Sequence, residues 1–189
     1  MHSRFSRSLI LATALVVAAP AIVTAKHHVM ANPTVGGAAM ISTKSIAVNA
    51  SAAPNLTTLV AAVKAAGLVD TLASPGPFTV FAPTNTAFDK LPEGTVGTLL
   101  KPENKGTLTT VLTYHVVAGK LTSKDVLAAI KAGGGKATLT TVAGAKISAR
   151  LSGNSIVITD AKGGQSAVTT ADVMQSNGVV HVVDSVLLP

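Results

Sequence analysis

The chain has 189 residues, of which 48% are hydrophobic and 12% charged, and its formal net charge is +7. It contains no cysteine, which excludes disulfide bonds and a lipid attached to an amino-terminal cysteine. Its lysines lie singly along the sequence, without the clustered stripe or stacking aromatic residues of a nucleic-acid-binding protein, so no nucleic-acid partner is expected. The charge instead predicts a solvated surface with mild attraction to anionic envelopes.

The first 25 residues have the pattern of an export signal. Arg4 and Arg7 precede an uncharged, mostly apolar run over residues 9–23, and Val23-Thr24-Ala25 places small residues where a signal peptidase reads. The run is shorter than the roughly 20 apolar residues of a membrane-spanning helix. We therefore expect a signal peptide over residues 1–25, with cleavage after Ala25 or, as a second candidate, after Val29-Met30-Ala31. The protein should be secreted or periplasmic and should not span the membrane.

Residues 26–45 mix proline, glycine and small residues without an apolar period, which predicts a linker or a loosely ordered arm. His27-His28 lies in this segment, but no cysteine or carboxylate is near it, so no metal site is expected. A single domain is expected over residues 46–189. Its first helix begins with Asn55 as a cap, carries apolar residues at helical spacing from Leu56 to Val63, and ends at Gly67.

Residues 79–88 predict a strand, an abrupt stop and a helix. Val80 and Phe81 favour a strand, Pro83 cannot donate to a neighbouring strand, and Thr84 or Asn85 can cap the helix that follows. Three of the four phenylalanines of the chain lie in or next to this segment. The segment should therefore form a corner of the core.

Two further helices are predicted, over residues 102–114 and 122–132, the second with a capping box from Thr122 to Asp125 and a stop at the glycines that follow. The apolar period then changes from 3.6 to 2, which predicts short strands. They span residues 138–142, 146–151, 155–160, 166–169 and 179–183. Asn177-Gly178 should form a turn with positive φ at Gly178, and residues 179–183 should form a central strand covered on both faces. Antiparallel strands with a helical layer make the predicted fold class α+β.

Three segments of the chain resemble the signatures of the fasciclin (FAS1) domain family, in the same order and at the same spacing. They are residues 77–88, Tyr114-His115-Val116-Val117, and residues 177–184 followed by Leu187-Leu188-Pro189. The resemblance implies a FAS1-like antiparallel β-wedge packed with several α-helices. It also assigns a structural motif to Thr79, Phe81, Pro83, Thr84, Asn85, Phe88, Gly178 and His181.

The domain offers little that could act as an enzyme. The candidate groupings are Ser185 with Asp184 and His181, Asp172 with His115, and Tyr114 with His115, and none has a nucleophile elbow or metal-ligand spacing. We interpret both histidines as buried imidazoles that satisfy backbone groups, and Tyr114 as a core aromatic residue. No catalytic residue, cofactor or metal is expected. With no tryptophan in the chain, polysaccharide binding by aromatic stacking is disfavoured.

The functional expectation comes from the resemblance, because fasciclin domains act mostly in cell adhesion and matrix attachment. It implies an adhesion site at Tyr114 and His115 and at Asp172, Val173 and Met174, in a loop before the last strand. The latter segment lacks the acidic and proline residues that open the animal version. We therefore expect a monomeric adhesion protein whose partner is a cell-surface or matrix protein. The alternative is a carrier with an apolar ligand in a cavity lined by Leu108, Val111 and Leu112.

Overall fold

The computed structural model describes residues 32–189, so the predicted signal peptide and His27-His28 lie outside the described residues. Within that range the helices are α1 (Ile46–Ala52), α2 (Thr57–Ala66), α3 (Val69–Ala73), α4 (Asn85–Asp89), α5 (Thr95–Leu99), α6 (Lys105–Tyr114) and α7 (Ser123–Ala132). The strands are β1 (Thr34–Val35), β2 (Ala38–Ala39), β3 (Phe78–Pro83), β4 (Val116–Ala118), β5 (Lys136–Thr140), β6 (Lys146–Ser152), β7 (Ser155–Thr159), β8 (Gln165–Gln175) and β9 (Gly178–Val183).

Seven of the strands form one mixed sheet in the order β4-β3-β9-β8-β7-β6-β5. Its edges approach each other where Val117 bridges to Thr141 and the N–H of Val142 donates to the Val116 carbonyl (2.7 Å), so the sheet is nearly closed. The predicted α+β class is confirmed. The description as an antiparallel wedge needs one correction, because β3 and β9 pair in parallel while the other neighbours are antiparallel.

The β3–β9 pair lies at the centre of the domain and separates two apolar cores. All six residues of β9 are buried, as predicted for a strand covered on both faces. In the first core, on one side of the pair, Val80 and Val180 pack with Leu59 of α2 and Leu108 of α6. In the second core, on the other side, Phe81, Val183 and Tyr114 pack with α7 and the strands β5 to β7.

The corner after β3 forms as predicted, and Thr84 caps the helix that follows, not Asn85. Its hydroxyl accepts the N–H of Ala87 (3.3 Å) at the start of α4. Asn85 instead joins α4 to α2, because its side chain accepts the N–H of Thr58 (3.0 Å) and donates to the Pro54 carbonyl (3.2 Å). Phe88 is buried, so the corner belongs to the core.

The other predicted helices are present, with two changes at their ends. Asn55 does not cap α2, because it lies in a 3₁₀ turn over Pro54–Leu56, whereas Gly67 ends this helix with φ 72°. A second 3₁₀ turn, Pro102–Asn104, precedes α6. In α7 the capping box between Thr122 and Asp125 is formed as predicted.

The segment interpreted as a loose arm packs on the domain over its described part. Residues 34–39 form the small hairpin of β1 and β2, and Val35 and Met40 are buried in the first core. The buried amide of Asn49 holds this segment, since it donates to the Ile41 carbonyl (2.7 Å) and accepts the N–H of the same residue (3.1 Å). Residues 32–189 all fall in one compact unit.

The β8 strand is longer than predicted. It extends to Gln175 through residues 170–174, so the segment predicted as a loop is part of the sheet. The register with β9 shifts on either side of Thr170, and Asp172 has φ 57° within this irregular stretch. Polar residues interrupt the alternation here, which explains why the period of the sequence did not predict a strand.

Gly178 is needed for a different reason from the one predicted. The turn residues are Ser176 and Asn177, and Gly178 is the first residue of β9, outside the positive-φ region. A Cβ atom at this position would collide with the backbone carbonyl of Phe78 on β3. The glycine therefore allows the two central strands to approach each other.

We expect Gly178→Ala to lower the free energy of unfolding by about 1 to 3 kcal/mol, because the added methyl forces the paired backbones apart. The matched control is Gly106→Ala in α6, where a Cβ meets nothing within 4 Å. That variant should be neutral or more stable by up to about 1 kcal/mol, since alanine favours helix. Urea unfolding of both variants measures the difference, and equal midpoints would contradict the close-approach explanation.

Candidate functional site

The predicted tyrosine–histidine site lies in the interior. Tyr114, the last residue of α6, is fully buried, and its hydroxyl donates to the Lys146 carbonyl (3.3 Å) and accepts the N–H of Ala161 (2.9 Å). Burial raises the pKa of this hydroxyl, which stays protonated. Tyr114 thus joins α6 to the beginning of β6 and to the turn after β7.

His115 joins α6 to the carboxyl-terminal segment. Its Nδ1 lies 2.8 Å from the Val111 carbonyl, and its Nε2 accepts the N–H of Leu187 (2.9 Å). A carbonyl can only accept and an N–H can only donate, so these partners select the neutral ring with the proton on Nδ1. Burial lowers the pKa of His115 to about 4, although the hydrogen bond to Val111 and the charge of Asp160 act in the opposite direction.

His181 has the opposite tautomer. Its Nε2 donates to the Leu121 carbonyl (2.8 Å), and its Nδ1 accepts the N–H of Asp172 (3.3 Å). The ring stacks on Phe81 with a centroid distance of 5.6 Å. Burial lowers the pKa of His181 as well, so both histidines are neutral parts of the scaffold near pH 7.

Asp172, whose N–H binds His181, also binds the beginning of α7 through its side chain. Its carboxylate accepts the N–H of Ser123 (2.6 Å) and also the hydroxyl of that residue, at the beginning of α7. Because α7 has its own cap at Thr122, Asp172 serves to attach the helix to β8. The positive φ of Asp172 is one that Asp adopts more readily than most residues.

The neighbours of Asp172 in the predicted adhesion segment have different exposures. Val173 is buried in the first core, and Met174 is half-buried. Tyr114, His115 and Val173 are therefore inaccessible to a partner on the surface. Of the five residues predicted for adhesion, the structure leaves Asp172 and Met174 partly exposed.

The groupings considered for catalysis do not assemble. Ser185 bonds to Asp184 (3.2 Å) and Lys90 (3.3 Å), while His181 bonds to backbone groups of Leu121 and Asp172. Asp172 contacts Ser123 and not His115. Among residues 32–189, no group of three or more His, Asp or Glu side chains is arranged to hold a metal ion.

Thr79, the remaining polar residue of the predicted motif, also acts as a bridge. Its buried hydroxyl donates to the Gly119 carbonyl (2.7 Å) and accepts the N–H of Leu121 (2.8 Å). Sequence reasoning did not find the partners of these bridges, Ser123, Leu121 and Leu187. Each lies 40 or more residues from the side chain it meets, and short-range periodicity carries no signal over that distance.

Three mostly enclosed apolar cavities lie in the described part of the chain. The largest, about 50 Å³, is bounded by residues of α1, α2 and the sheet, and a second of about 40 Å³ adjoins it at Leu59 and Val63. The cavity lined by Leu108, Val111 and Leu112 measures about 10 Å³, close to the smallest volume that holds one water molecule. A wider depression of about 520 Å³, beside Asn85, is open to solvent.

Within residues 32–189, no single helix is long and apolar enough to cross a membrane. One pair of helical segments, Ile46–Ala52 and Pro54–Ala66, passes by length and composition together, but it is bent by 104°.

A mixed, nearly closed sheet with helices on its flanks defines the class of small α+β domains. Comparison with known proteins gives the family. The fasciclin domain profile matches residues 54–189, and the chain belongs to the fasciclin domain family.

Three similar proteins come from two bacteria. The chain is 43% identical over 171 residues to protein sll1483 of Synechocystis, covering 83% of this chain and 88% of that protein. It is 40% identical over 170 residues to the immunogenic protein MPB70 of Mycobacterium bovis, covering 86% and 79%. It is 34% identical over 164 residues to the cell surface glycolipoprotein MPB83 of the same species, covering 84% and 67%.

A solved structure of a FAS1 domain pair from the insect cell adhesion molecule fasciclin I is similar to the described fold. The TM-score is 0.70 at 20% sequence identity, over 77% of this chain and 51% of that one. The chain thus spans about half of that domain pair, and the likeness supports the fold.

The low pKa of His115 makes stability depend on pH. Between about 4, its value in the folded protein, and 6.5, its unperturbed value, the unfolded chain binds more protons, so the free energy of unfolding falls as pH falls through this window. Each pH unit in this window corresponds to about 1.4 kcal/mol. Across the window, His115 therefore lowers the free energy of unfolding by about 3 kcal/mol. Urea unfolding of the wild type and of His115→Gln at several pH values should show a smaller slope in the variant, and identical slopes would contradict the assignment.

Asp172→Ala should lower the free energy of unfolding by about 1 to 3 kcal/mol, because it removes two hydrogen bonds to Ser123 and strains a left-handed backbone. Asp172→Asn should cost less, since Asn retains one acceptor and tolerates positive φ. The exposed Asp89 provides a control as Asp89→Ala, which should change stability by about 0.5 kcal/mol or less. Equal thermal midpoints for Asp172→Ala and this control would show that Asp172 does not hold α7.

Proposed function

We propose that this is an exported, non-enzymatic fasciclin-domain protein that attaches to cell-surface or matrix material. Its membership in the fasciclin family carries the proposal. The names of two similar proteins support the same function, since one is a cell surface glycolipoprotein and the other a cell adhesion molecule. The signal-like sequence of residues 1–25 supports export, with the mature chain beginning near Lys26.

The interior supports a binding role over catalysis. A general acid, base or nucleophile needs a free polar atom that can reach a substrate. Both ring nitrogens of His115 and of His181 are bonded to backbone groups, and so is the hydroxyl of Tyr114. The groups with the most perturbed surroundings therefore hold the fold together, and the surface is left to supply the contacts of a partner.

The size of the cavities favours attachment over the alternative of a carrier for an apolar ligand. Pockets for drug-sized ligands measure about 300 to 1,000 Å³. The apolar cavities of the described residues measure about 50, 40 and 10 Å³. A carrier would have to open the space under α1 by several-fold before a ligand could enter.

The adhesive surface should lie outside the tyrosine–histidine segment, because Tyr114 and His115 are buried. Asp172 and Met174 are only partly exposed, and the carboxylate of Asp172 accepts a hydrogen bond from Ser123. We propose that the protein acts as a monomer and that its partner is a different molecule from a second copy of this chain. The partner must be recognised by another part of the surface.

The proposal is tested with the protein recovered from the culture medium or periplasm and labelled at its amino terminus. Binding to whole cells and isolated envelopes of the source organism should be saturable. A basic protein of unrelated fold at the same concentration should not saturate and serves as the control for charge alone. Recovery only from the cytoplasm, or uptake no greater than that of the control protein, would overturn the proposal.

A further inference from the structure

The outer face of the strands β5 to β8 is a polar surface that no described helix covers. Cross-strand partners share a face of a sheet, and the register therefore separates inward from outward residues. The inward set includes Ala137, Leu139 and Ile147, which pack in the second core with α7. The outward set, here called the outer face, consists of Lys136, Thr138, Thr140, Lys146, Ser148, Arg150, Ser152, Ser155, Val157, Thr159, Gln165 and Ala167.

This face carries three cations and no carboxylate. Lys136 lies directly opposite Arg150, and both are exposed. Lys146 lies on the same strand as Arg150, four residues away and about 13 Å along it. Like charges directly opposite each other on a sheet are unfavourable unless an anion lies between them. The sheet thus gathers basic residues that are scattered in the sequence.

The acidic residue nearest to the outer face in sequence is turned away from it. Asp160 follows β7, and its Oδ1 accepts the N–H groups of Lys162 (3.0 Å) and Gly164 (2.7 Å). Its Oδ2 accepts the N–H of Leu188 (3.0 Å). Among residues 32–189, the one carboxylate ion pair joins Lys90 to Asp184 and lies elsewhere. The charge of the outer face is therefore left for an external anion.

The other side chains of the face indicate which anion fits. Besides the cations, the face carries six hydroxyls and one amide, and Arg150 donates to the Gln165 side chain (2.7 Å). The face has no aromatic residue on which bases could stack and no large exposed apolar residue that could enter a lipid layer. Hydroxyls and cations on an extended surface match a polymer that carries both hydroxyl and anionic groups.

We propose that the outer face binds a linear acidic polysaccharide, with Lys136, Lys146 and Arg150 pairing with its carboxylate or sulfate groups. This inference rests on the proposed attachment function and assigns its partner to the polysaccharides of the envelope or matrix, in place of a protein. Hydrogen bonds from Thr138 and Ser148 contribute contacts to sugar hydroxyls. Recognition uses charge and hydroxyl groups, without aromatic stacking.

The test measures binding of the full exported protein to alginate, a linear polyuronate, by isothermal titration calorimetry at two salt concentrations. The triple variant Lys136→Gln, Lys146→Gln, Arg150→Gln should bind at least tenfold more weakly than the wild type. The matched control, Lys64→Gln, Lys101→Gln, Lys131→Gln, removes the same charge from exposed positions outside this face and should bind within twofold of the wild type. Equal weakening by both triple variants would overturn the proposal.

Three further measurements distinguish loss of the binding site from loss of the fold, and binding of a polysaccharide from binding of other anions. Thermal midpoints of both triple variants should equal that of the wild type, because all six positions are exposed. The single variant Lys136→Gln should weaken binding measurably with the fold intact, so that an unfolded triple variant would not leave the question open. Dextran should not bind, and binding of single-stranded DNA or phosphatidylglycerol vesicles as tight as that of alginate would overturn the assignment to a polysaccharide.

The attachment assay on cells separates failure of this inference from failure of the proposed function. If the wild type attaches to cells and the outer-face variant attaches equally well, the inference is wrong and the attachment function stands. If the wild type does not attach but binds alginate through the outer face, the attachment function is wrong and the surface remains a polysaccharide site.

Discussion

The parallel pairing of β3 with β9 is the interaction on which the rest of this structure depends. Their six residue pairs place two strands, almost fully buried, between the two apolar cores. A parallel pair cannot be joined by a tight turn and needs a long connection. Residues 84–177, with most of the helices and the strands β4 to β8, constitute that connection. The domain is in this sense one large crossover between two neighbouring strands.

Burial of this pair imposes conditions on the residues around it. Gly178 lets the backbones of β3 and β9 approach each other. His181 is buried within β9, so its ring must be neutral and both ring nitrogens need hydrogen-bond partners. Two backbone groups with opposite hydrogen-bonding character, the carbonyl of Leu121 and the N–H of Asp172, meet that condition. The same solution recurs at His115 with the other tautomer. The two buried histidines are thereby part of the scaffold, with all four ring nitrogens bonded to backbone groups.

Several elements could be predicted because their causes are local. The capping box of α7 involves residues three apart, the stop at Gly67 needs one left-handed residue, and the corner at Pro83 and Thr84 follows from a missing donor and a nearby cap. The burial of both histidines also followed from the apolar residues around them. In each case the cause lies within one turn of helix or one strand, where the sequence records it directly.

The sequence by itself determined the α+β class, most helices, the buried central strand and the family. It did not determine the parallel pairing, the packing of the segment before Ile46, the strand over residues 170–174, or the role of Gly178, because each depends on a partner far away in the chain. The same limit applies to charge. Lys136 and Arg150 are separate in the sequence and become neighbours only when β5 and β6 pair in one register, which also places Lys146 on the same face. Tertiary structure decides such features because the pairing of distant backbone segments sets which side chains share a face.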